Sequence, residues 1–413
     1  MLDPDLVRKD PDRVRDVCAR RGIEVDLDGL LRIDAEYRAS VTELDELNKE
    51  QKQLNRMVAS GEITAEEGGR RRARAKELEA TVRELAAARD AIAGQLPNLL
   101  AEDTPPGAGD ADNVELRRWG TAPEVDPETA RHDTVGAEWG WYDPAAGVAV
   151  AQSGFLYWRG GAGELVWDLM DAVLRVLRRR GFEQLVTPVV AKDETFFATG
   201  YLPFVSDDLY KLEGEQLSLI GTSEQTILGA YAGEQVPGER LPLLLTAFSP
   251  SFRTEKGAAG SKSRGAFRVH QFHKVEQIVI CAPEESDRWL EACQRNIEDV
   301  LQALELPHRV VRVCVGDLGA PAFKKLDTEA WFAGFGEFRE THSNSNLTDF
   351  QSRRLRLRAR VDGGRVFPHT ISATAVTDRV FIALFEDLLA RGLDPEQALA
   401  EGRRRIEAVR ALP

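Results

Sequence analysis

Hydrophobic residues recur at steps of three, four or seven through two stretches of the first hundred residues. They are Ile33, Tyr37, Val41, Leu44, Leu47 and Leu54 in the first stretch, and Leu78, Val82, Leu85, Ala88, Ile92 and Leu96 in the second. Such spacing gives each stretch one narrow apolar seam on an α-helix. A glycine-containing break, SGEITAEEGG, separates the two stretches. The pattern therefore predicts an antiparallel helical hairpin that projects as an arm, with a small helical cap before it.

Beyond the hairpin, short alternating segments are separated by turn residues. The stretch PNLLAEDTPPGAGDADNVELRRWG (97–120) is rich in Pro, Gly and Asp, which is typical of a linker. After it, the pattern predicts helices over 163–181 and near 284–305 and 378–393. The strand candidates are FEQLVTPVV, LSLIGTSEQ, LPLLLTAFSPSFRTE, FRVHQFHKVEQIVIC, HRVVRVCVG, FRETHSNSN and RRLRLRARV. We therefore expect an α+β fold, a mainly antiparallel sheet flanked by helices.

The same pattern divides the chain into three regions. We expect a helical cap and arm over 1–100, a linker over 101–120 and a globular domain over 121–413. With 413 residues, 43% of them hydrophobic, the chain can bury a large core.

Composition bears on the compartment and the partners. No apolar run approaches the ~18–20 residues of a membrane span, and the first ten residues lack an apolar signal core. The four cysteines show no CxxC spacing, which favours reduced thiols in a cytoplasmic protein over a zinc or disulfide framework. We therefore expect a cytoplasmic protein with no membrane contact.

A net charge of −14 argues against broad nonspecific binding of nucleic acid, so any such contact needs a local basic face. The segment GRRRARAK (69–76), with five basic residues, offers one near the end of the arm. From Lys49 to Asp90 the arm carries ten basic and eight acidic residues. A solvated coiled coil thus remains an alternative to a nucleic-acid-binding arm.

The chemistry concentrates in FRTEKGAAGSKSRGAFRVHQFHKVEQ (252–277). Alternation predicts that Arg253 and Glu255 share one sheet face, and that Arg268, Phe272 and Glu276 share a face of the next strand. Such a face is costly to bury unless its charges are paired or bind a ligand. Arginines suit polyphosphate or carboxylate, an aromatic ring suits a planar base, and a glutamate suits an amine. From this segment alone, a solvated hairpin with cross-strand charge pairs stays open.

Three further clusters favour a binding site over a solvated hairpin. GTSEQ (221–225) places Thr222 and Glu224 on one face of a predicted short strand. FRETHSNSNLTDFQSRR (338–354) holds Glu340, Ser343, Asn346 and Asp349 on a predicted polar strand and turn. Near the C-terminus, Thr374 and Arg379 come just before or at the start of an apolar helix, where Arg379 suits a further phosphate. His270 and His273 would face opposite sides of a strand, which argues against a shared metal.

These motifs resemble those of the class II aminoacyl-tRNA synthetases, and of the seryl-tRNA synthetase family in particular. The N-terminus and hairpin resemble the family's tRNA-binding arm, and DNVELRRWG resembles the segment joining arm to body. GFEQLVTPVV resembles class II motif 1, FRTEKGAAGSKSRGAFRVHQFHKVEQ motif 2 and HTISATAVTDRVFIALFED motif 3, while ETHSNSNLTDFQSRR is similar to the ATP-site strand. The resemblance covers nearly the whole chain and implies a class II catalytic domain over 121–413.

The resemblance also implies a role for each matching residue. The implied ATP site consists of Arg253, Thr254, Glu255, Arg268, Phe272, Glu340, Thr341, His342, Ser343 and Arg379, with Glu340 and Ser343 holding Mg²⁺. The implied serine site consists of Thr222, Ser223, Glu224, Arg253, Glu276 and Thr374, with Thr374 facing the serine hydroxyl. Arg253 and Arg379 are the implied catalytic residues. Arg253 would hold the α-phosphate and the amino-acid carboxylate, and Arg379 would clamp the terminal phosphates together with Arg268.

The activity implied is ATP-dependent activation of L-serine, followed by transfer of the seryl group to tRNA(Ser). This chemistry depends on positioning and charge neutralisation and requires no protein nucleophile. The resemblance further implies that the arm reads the tRNA. It also implies a homodimer formed through residues 163–190.

The sequence departs from the family pattern at several positions. Ser372 and Ala373 stand where the family has Asn followed by Gly or Asn, and the approach from Thr374 to Arg379 is one residue short. His342 and Asn344 replace small residues on the ATP-site strand. A synthetase-like ligase for another small amino acid, or one supplying aminoacyl-tRNA to a biosynthetic pathway, is therefore an alternative. A non-catalytic tRNA-binding regulator is a second alternative, against which the implied catalytic and phosphate-binding residues argue.

Overall fold

A computed structural model describes residues 1–60, 65–256, 264–361 and 363–413 of the chain. It divides into two compact units, Met1–Pro97 and Asn98–Pro413. Among the residues described, no helix combines the length and apolarity needed to cross a bilayer.

The first unit is helical. Its helices are α1 (Pro4–Lys9), α2 (Pro11–Arg20), α3 (Leu27–Ser60) and α4 (Ala65–Ala93). Asp3 and Asp10 accept hydrogen bonds from backbone amides at the starts of α1 and α2, each followed by proline, which suits the first helical position. These short helices form the predicted cap.

The helices α3 and α4 run antiparallel. Arg74 of α4 lies 2.9 Å from Glu43 of α3, and Arg89 lies over the ring of Tyr37, 4.2 Å from its centroid. Later residues of α4 thus contact earlier residues of α3, as the predicted hairpin requires. Part of the predicted break, residues 61–64, lies outside the described chain. The seam is only half-buried along most of its length, because two helices alone cannot enclose it.

The second unit is built on sheets. Its strands are β1 (Val114–Trp119), β2 (Tyr142–Asp143), β3 (Tyr157–Trp158), β4 (Glu183–Leu185), β5 (Val190–Lys192), β6 (Leu217–Leu219), β7 (Gln235–Pro237), β8 (Leu243–Phe252), β9 (Gln271–Cys281), β10 (His308–Arg312), β11 (Lys324–Phe332), β12 (Glu337–Thr348), β13 (Arg358–Val361), β14 (Gly364–Val366) and β15 (His369–Thr377). An eight-stranded sheet has the order β1-β10-β11-β12-β15-β9-β8-β4. Its neighbours pair antiparallel except β4 with β8, which confirms the predicted mainly antiparallel sheet.

Helices flank this sheet. They are α5 (Val135–Glu138), α6 (Pro144–Val150), α7 (Gly160–Arg179), α8 (Asp193–Thr199), α9 (Glu224–Gly229), α10 (Ser286–Ala303), α11 (Phe350–Leu355), α12 (Asp378–Ala390) and α13 (Pro395–Arg410). Leu165, Leu169, Val173 and Leu177 recur every fourth residue along α7 and are buried in the main core together with most of α12. The helices predicted over 163–181 and near 284–305 and 378–393 are thereby confirmed.

Three local predictions are wrong. Residues 221–225 were expected in a strand, but β6 ends at Leu219 and α9 begins at Glu224. Ile227 and Leu228 are fully buried, so core burial favours the helix, and the side chain of Gln225 also accepts from the amide of Thr222 (3.1 Å) just before it. The first residues of the expected strand over 353–361 belong instead to α11, which ends at Leu355. Arg356 follows in the left-handed conformation (φ 57°) before β13 starts.

The third concerns the two strands around the candidate site. Strand β8 ends at Phe252, so Arg253 and Glu255 lie beyond it, and Glu255 has a φ of 52°. Strand β9 begins at Gln271, so Arg268 precedes it. These residues are therefore displayed by strand ends rather than by one regular sheet face. In addition, the segment expected to be a linker contains β1, the edge strand of the large sheet.

Candidate active site

A cavity of about 360 Å³ lies where the ends of β8 and β9 meet β12, β15 and the start of α12. It is lined by Asp208, Arg253, Glu255, Ala266, Phe267, Arg268, Val269, Phe272, Lys274, Lys325, Glu340, Thr341, Ser343, Thr374, Thr377, Asp378 and Arg379. Five of these side chains are cationic, which gives the cavity the chemistry of a polyphosphate site. We call it the nucleotide cavity.

Arg253 is held in place just beyond the end of β8. Its backbone amide donates to His270 O (3.0 Å), and its guanidinium lies 5.3 Å from the centre of the Phe272 ring. The next residues are braced by a neighbouring loop, since Thr254 donates its hydroxyl to Asp207 O (2.6 Å) and Glu255 donates its amide to Asp208 Oδ1 (2.8 Å). This bracing supports the left-handed backbone at Glu255.

The other two arginines of the nucleotide cavity are paired with carboxylates. Arg268 lies 2.8 Å from Glu255, and Arg379 lies 3.5 Å from Glu340. Arg379 also donates to Phe267 O (3.3 Å) and lies over the Phe267 ring. The carboxylates hold the guanidinium groups on the cavity wall, where incoming phosphate oxygens can exchange for them or share them.

Glu340 and Ser343 reach the nucleotide cavity together because β12 is irregular. Residues three apart in a regular strand face opposite sides. Here the register with β11 shifts between Thr328 and Glu329, so that Thr341 is an extra residue. Such a bulge re-aims side chains, and both Glu340 and Ser343 line the cavity.

Positive charges surround Glu340 in this setting. Burial favours its neutral form, but the charges of Lys325, Arg379 and Arg253 outweigh burial and hold its pKa below the ordinary value. An ionised carboxylate beside a hydroxyl fits Mg²⁺, which usually binds to one or two carboxylates and to substrate phosphates. Within the described chain, no group of three or more His, Cys, Asp or Glu side chains forms a metal cage.

A second cavity, of about 160 Å³, adjoins the first. It is lined by Thr199, Tyr201, Thr222, Glu224, Arg253, Lys274, Glu276, Gly319, Pro321, Ala322, Lys325, Ser343, Ser345, Leu347 and Ser372. Four of these residues, Arg253, Lys274, Lys325 and Ser343, also line the nucleotide cavity. Its volume suits a small molecule, and we call it the amino-acid cavity.

Two buried carboxylates define the polar wall of the amino-acid cavity. Glu276 accepts hydrogen bonds from the hydroxyls of Thr222 and Ser372 and pairs with Lys274. Glu224 accepts from Gln351 Nε2 at 2.6 Å. Burial, reinforced by the negative charge of Glu276, raises the pKa of Glu224 to about 7. Two carboxylates with one ammonium already bound leave a place for a second ammonium group.

Comparison with known proteins agrees with this geometry. Residues 1–102 match the family model "Seryl-tRNA synthetase N-terminal domain", and residues 209–388 match "tRNA synthetase class II core domain (G, H, P, S and T)". The serine–tRNA ligase of Rubrobacter xylanophilus is 38% identical over 94% of this chain and 93% of its own length. The chain belongs to the seryl-tRNA synthetase family.

Further members agree with this assignment. The serine–tRNA ligase of Thermococcus onnurineus is 36% identical over 94% of this chain and 92% of its own length. A crystal structure of seryl-tRNA synthetase from Pyrococcus horikoshii complexed with ATP has a TM-score of 0.85 and 34% identity, covering 94% of both chains. The serine–tRNA ligase of Naegleria fowleri in complex with AMP has a TM-score of 0.82 and 28% identity, covering 96% of this chain and 94% of its own. The resemblance and the predicted fold class are confirmed.

Most residues expected in the site of this family member line one of the two cavities. Three do not. Thr254 is engaged with the backbone of Asp207, and Ser223 is buried next to Thr222. His342 is buried beside Thr341, 2.8 Å from its hydroxyl, and burial lowers its pKa to about 3.

Two of the hydroxyl side chains of β15, those of Ser372 and Thr374, lie in different cavities. Thr374, expected to face the serine side chain, lines the nucleotide cavity. Ser372, two residues earlier on the same face, lines the amino-acid cavity and donates to Glu276 Oε1 (3.5 Å). The structure therefore brings Ser372, rather than Thr374, to the amino-acid cavity.

Sequence reasoning missed several residues of the site. Asp208 ends a short 3₁₀ turn with no periodic signal, and Asp378 has only the acidic character that is common at the start of a helix. Lys325 did not stand out in the sequence, because it shares β11 with three other charged residues, Lys324, Asp327 and Glu329. It lies half-buried at the junction of the cavities and pairs with Asp327 at 2.9 Å. Desolvation lowers its pKa, but the negative charges of Asp327 and Glu340 outweigh this effect and raise the pKa.

Proposed function

We propose that this chain activates L-serine with ATP to seryl-adenylate and transfers the seryl group to tRNA(Ser). The observation that carries the proposal is the shared wall of the two cavities. Arg253 lines both of them, so it can contact a carboxylate in one and a phosphate in the other. The activating step joins those two groups.

In the amino-acid cavity, the ammonium group of serine binds between Glu224 and Glu276. Its hydroxyl then lies near Ser372, which already hydrogen-bonds to Glu276. Its carboxylate points towards Arg253 at the junction. The cavity volume of about 160 Å³ admits a small amino acid and disfavours a large one.

In the nucleotide cavity, Phe272 and Glu255 provide a ring face and a hydrogen-bond acceptor for adenine. Arg268 and Arg379 bind the terminal phosphates, exchanging their carboxylate partners for phosphate oxygens. Glu340 and Ser343 would hold Mg²⁺, which when bound neutralises phosphate charge and orients the leaving group.

Activation then needs no protein nucleophile. A carboxylate oxygen of serine bonds to the α-phosphorus while the bond to the bridging oxygen breaks and pyrophosphate leaves. Arg253 screens the two negative charges that approach each other, and holding both reactants in place supplies the entropic part of the rate. A tRNA hydroxyl next attacks the acyl carbon and AMP departs.

Several features support the assignment of partners. The first unit, with its helical hairpin and basic segment 69–76, is proposed as the tRNA-binding arm, on the strength of the N-terminal family model. A homodimer is proposed through α7 and the segment after β4, because Trp167 and Val186 are 63% and 97% exposed. A cytoplasmic location follows from the proposed role in charging tRNA.

Formation of seryl-tRNA by wild type and by Arg253→Ala tests the proposal. We expect the wild type to charge tRNA(Ser) and the variant to lose charging because it cannot form the adenylate. Arg295→Ala, at an exposed arginine of α10, is the control for loss of a positive charge. Normal charging by Arg253→Ala would refute the assigned role of the junction.

A further inference from the structure

A buried glutamine lies one layer behind the amino-acid cavity. Gln351 is fully buried near the start of α11. Its side-chain nitrogen donates to Thr199 O (2.9 Å) and to Glu224 Oε1 (2.6 Å), and its side-chain oxygen accepts from the hydroxyl of Thr370 (2.7 Å). One amide thus links the end of α8, strand β15 and the carboxylate of the amino-acid cavity.

These partners determine which way the amide faces. A side-chain amide has a donor end and an acceptor end of nearly the same shape. With the amide turned the other way, its oxygen would face the Thr199 carbonyl and the Glu224 carboxylate. The carbonyl can only accept hydrogen bonds, and the carboxylate can only accept them when it is ionised. The Thr199 carbonyl can only accept and so fixes the orientation whose donor faces Glu224, and the Thr370 hydroxyl donates to the amide oxygen at the other end.

We infer that Gln351, held by Thr199 and Thr370, is a positioning residue that aims Glu224 at the amino group of the substrate. The inference rests on the proposed function, in which Glu224 binds the substrate ammonium. By donating to Glu224, Gln351 also favours the ionised carboxylate and opposes the rise in pKa that burial causes.

Thr370 offers a matched pair of substitutions. Thr370→Val keeps the shape of the side chain and removes the hydroxyl, so the amide oxygen of Gln351 loses its hydrogen-bond donor and the amide is held less firmly. We expect a rise in the KM for serine in ATP–pyrophosphate exchange of about tenfold, as for a weakened hydrogen bond to a charged group. The ATP KM stays unchanged. Thr370→Ser retains the hydroxyl and brings the serine KM back towards wild type.

Gln351→Met tests the amide itself. It removes both donors at nearly constant volume, so we expect a rise in serine KM of about tenfold to a hundredfold with kcat much less affected. The pH at which serine binding is half-maximal moves upward, because the ionised form of Glu224 loses a donor. The control is Gln294→Met, since Gln294 is equally buried and donates to Thr328 Oγ1 (2.8 Å), but belongs to α10 and lines neither cavity.

A serine KM for Gln351→Met equal to that of Gln294→Met would overturn the inference, as would equal values for the two Thr370 variants. Failure of the proposed function has a different result, because wild type itself would then not activate serine. In that case the same comparison is made with the amino acid that wild type does activate, whose ammonium group needs the same carboxylate.

Discussion

The protonation state of one buried residue, Glu224, makes substrate binding at the site depend on pH. A carboxylic acid binds an ammonium group strongly only when it is ionised. Burial and the neighbouring Glu276 raise the pKa of Glu224 to about 7, so both forms are populated near neutrality. The ligand ammonium replaces lost solvation and stabilises the ionised form.

This predicts a pH-dependent affinity for serine. As the pH falls through about 7, Glu224 gains a proton and the serine KM rises, approaching tenfold per pH unit below that value. As the pH rises above 7, the KM reaches a plateau until the substrate amine itself deprotonates. Exchange kinetics between about pH 6 and about pH 8 measure this.

The control separates Glu224 from another buried acid. Burial also raises the pKa of Asp327, beside Lys325, to about 7. Glu224→Gln has no titratable group at position 224, so its serine KM is high and does not change with pH across the same range. A pH dependence that persists in Glu224→Gln would assign the titration to a different group.

The division of hydroxyls along β15 predicts which residue reads the substrate side chain. Ser372→Ala removes the hydroxyl in the amino-acid cavity, so we expect the preference for serine over alanine to fall by about tenfold or more. Thr374→Val changes the nucleotide cavity instead, raising the ATP KM and leaving the preference intact. The exchange rates with serine and alanine measure this for both variants. If only Thr374→Val lost the preference for serine, Thr374 rather than Ser372 would contact the substrate side chain.

At the scale of elements, regular periodicity was predictable and interruptions were not. The seams of α3 and α4 and the apolar face of α7 follow from residue spacing, because a helix that buries one face repeats every three or four residues. Arg253 and Glu255 also alternate, yet they lie beyond the end of β8. Asp207 and Asp208, which hold the adjoining residues in place, are close in space but far away along the chain, so residue spacing cannot reveal them.

The candidate site shows the same contrast between regular patterns, which were predictable, and their interruptions, which were not. The motif residues were recognisable because polar side chains interrupt apolar strands. The bulge at Thr341 left no mark in the sequence, although it brings Glu340 and Ser343 to one cavity. Gln351 is a single amide on a short helix, and only its contacts with Thr199, Glu224 and Thr370 reveal its place in the site.

The division into two units predicts separable activities. Within the described part of the chain, every residue that lines the two cavities lies between Thr199 and Arg379, in the second unit. Replacing residues 35–92 by a short linker should therefore spare serine-dependent exchange while abolishing charging of tRNA(Ser). Exchange and charging are measured on the same preparation. Efficient charging by the shortened protein would show that the arm does not read the tRNA.

At the scale of the whole molecule, exposed apolar side chains predict assembly. Trp167 packs its edge on Phe248, with ring centres 5.4 Å apart, but leaves most of its surface to solvent, and Val186 is almost wholly exposed. We expect light scattering to give twice the chain mass at micromolar concentration. Val186→Asp should weaken the dimer by placing an unpaired charge in the interface. Val205→Asp, at another exposed valine, is the control. A monomeric wild type would contradict the interface.

The most direct measurement is ATP–pyrophosphate exchange by the wild-type chain with each standard amino acid in turn. It detects the joining of a carboxylate to the α-phosphorus, which is the step that Arg253 is placed to assist at the junction of the cavities. We expect serine to support exchange far better than alanine, glycine or threonine. Exchange with another small amino acid at a rate equal to serine, or no exchange with any, would contradict the proposed activity.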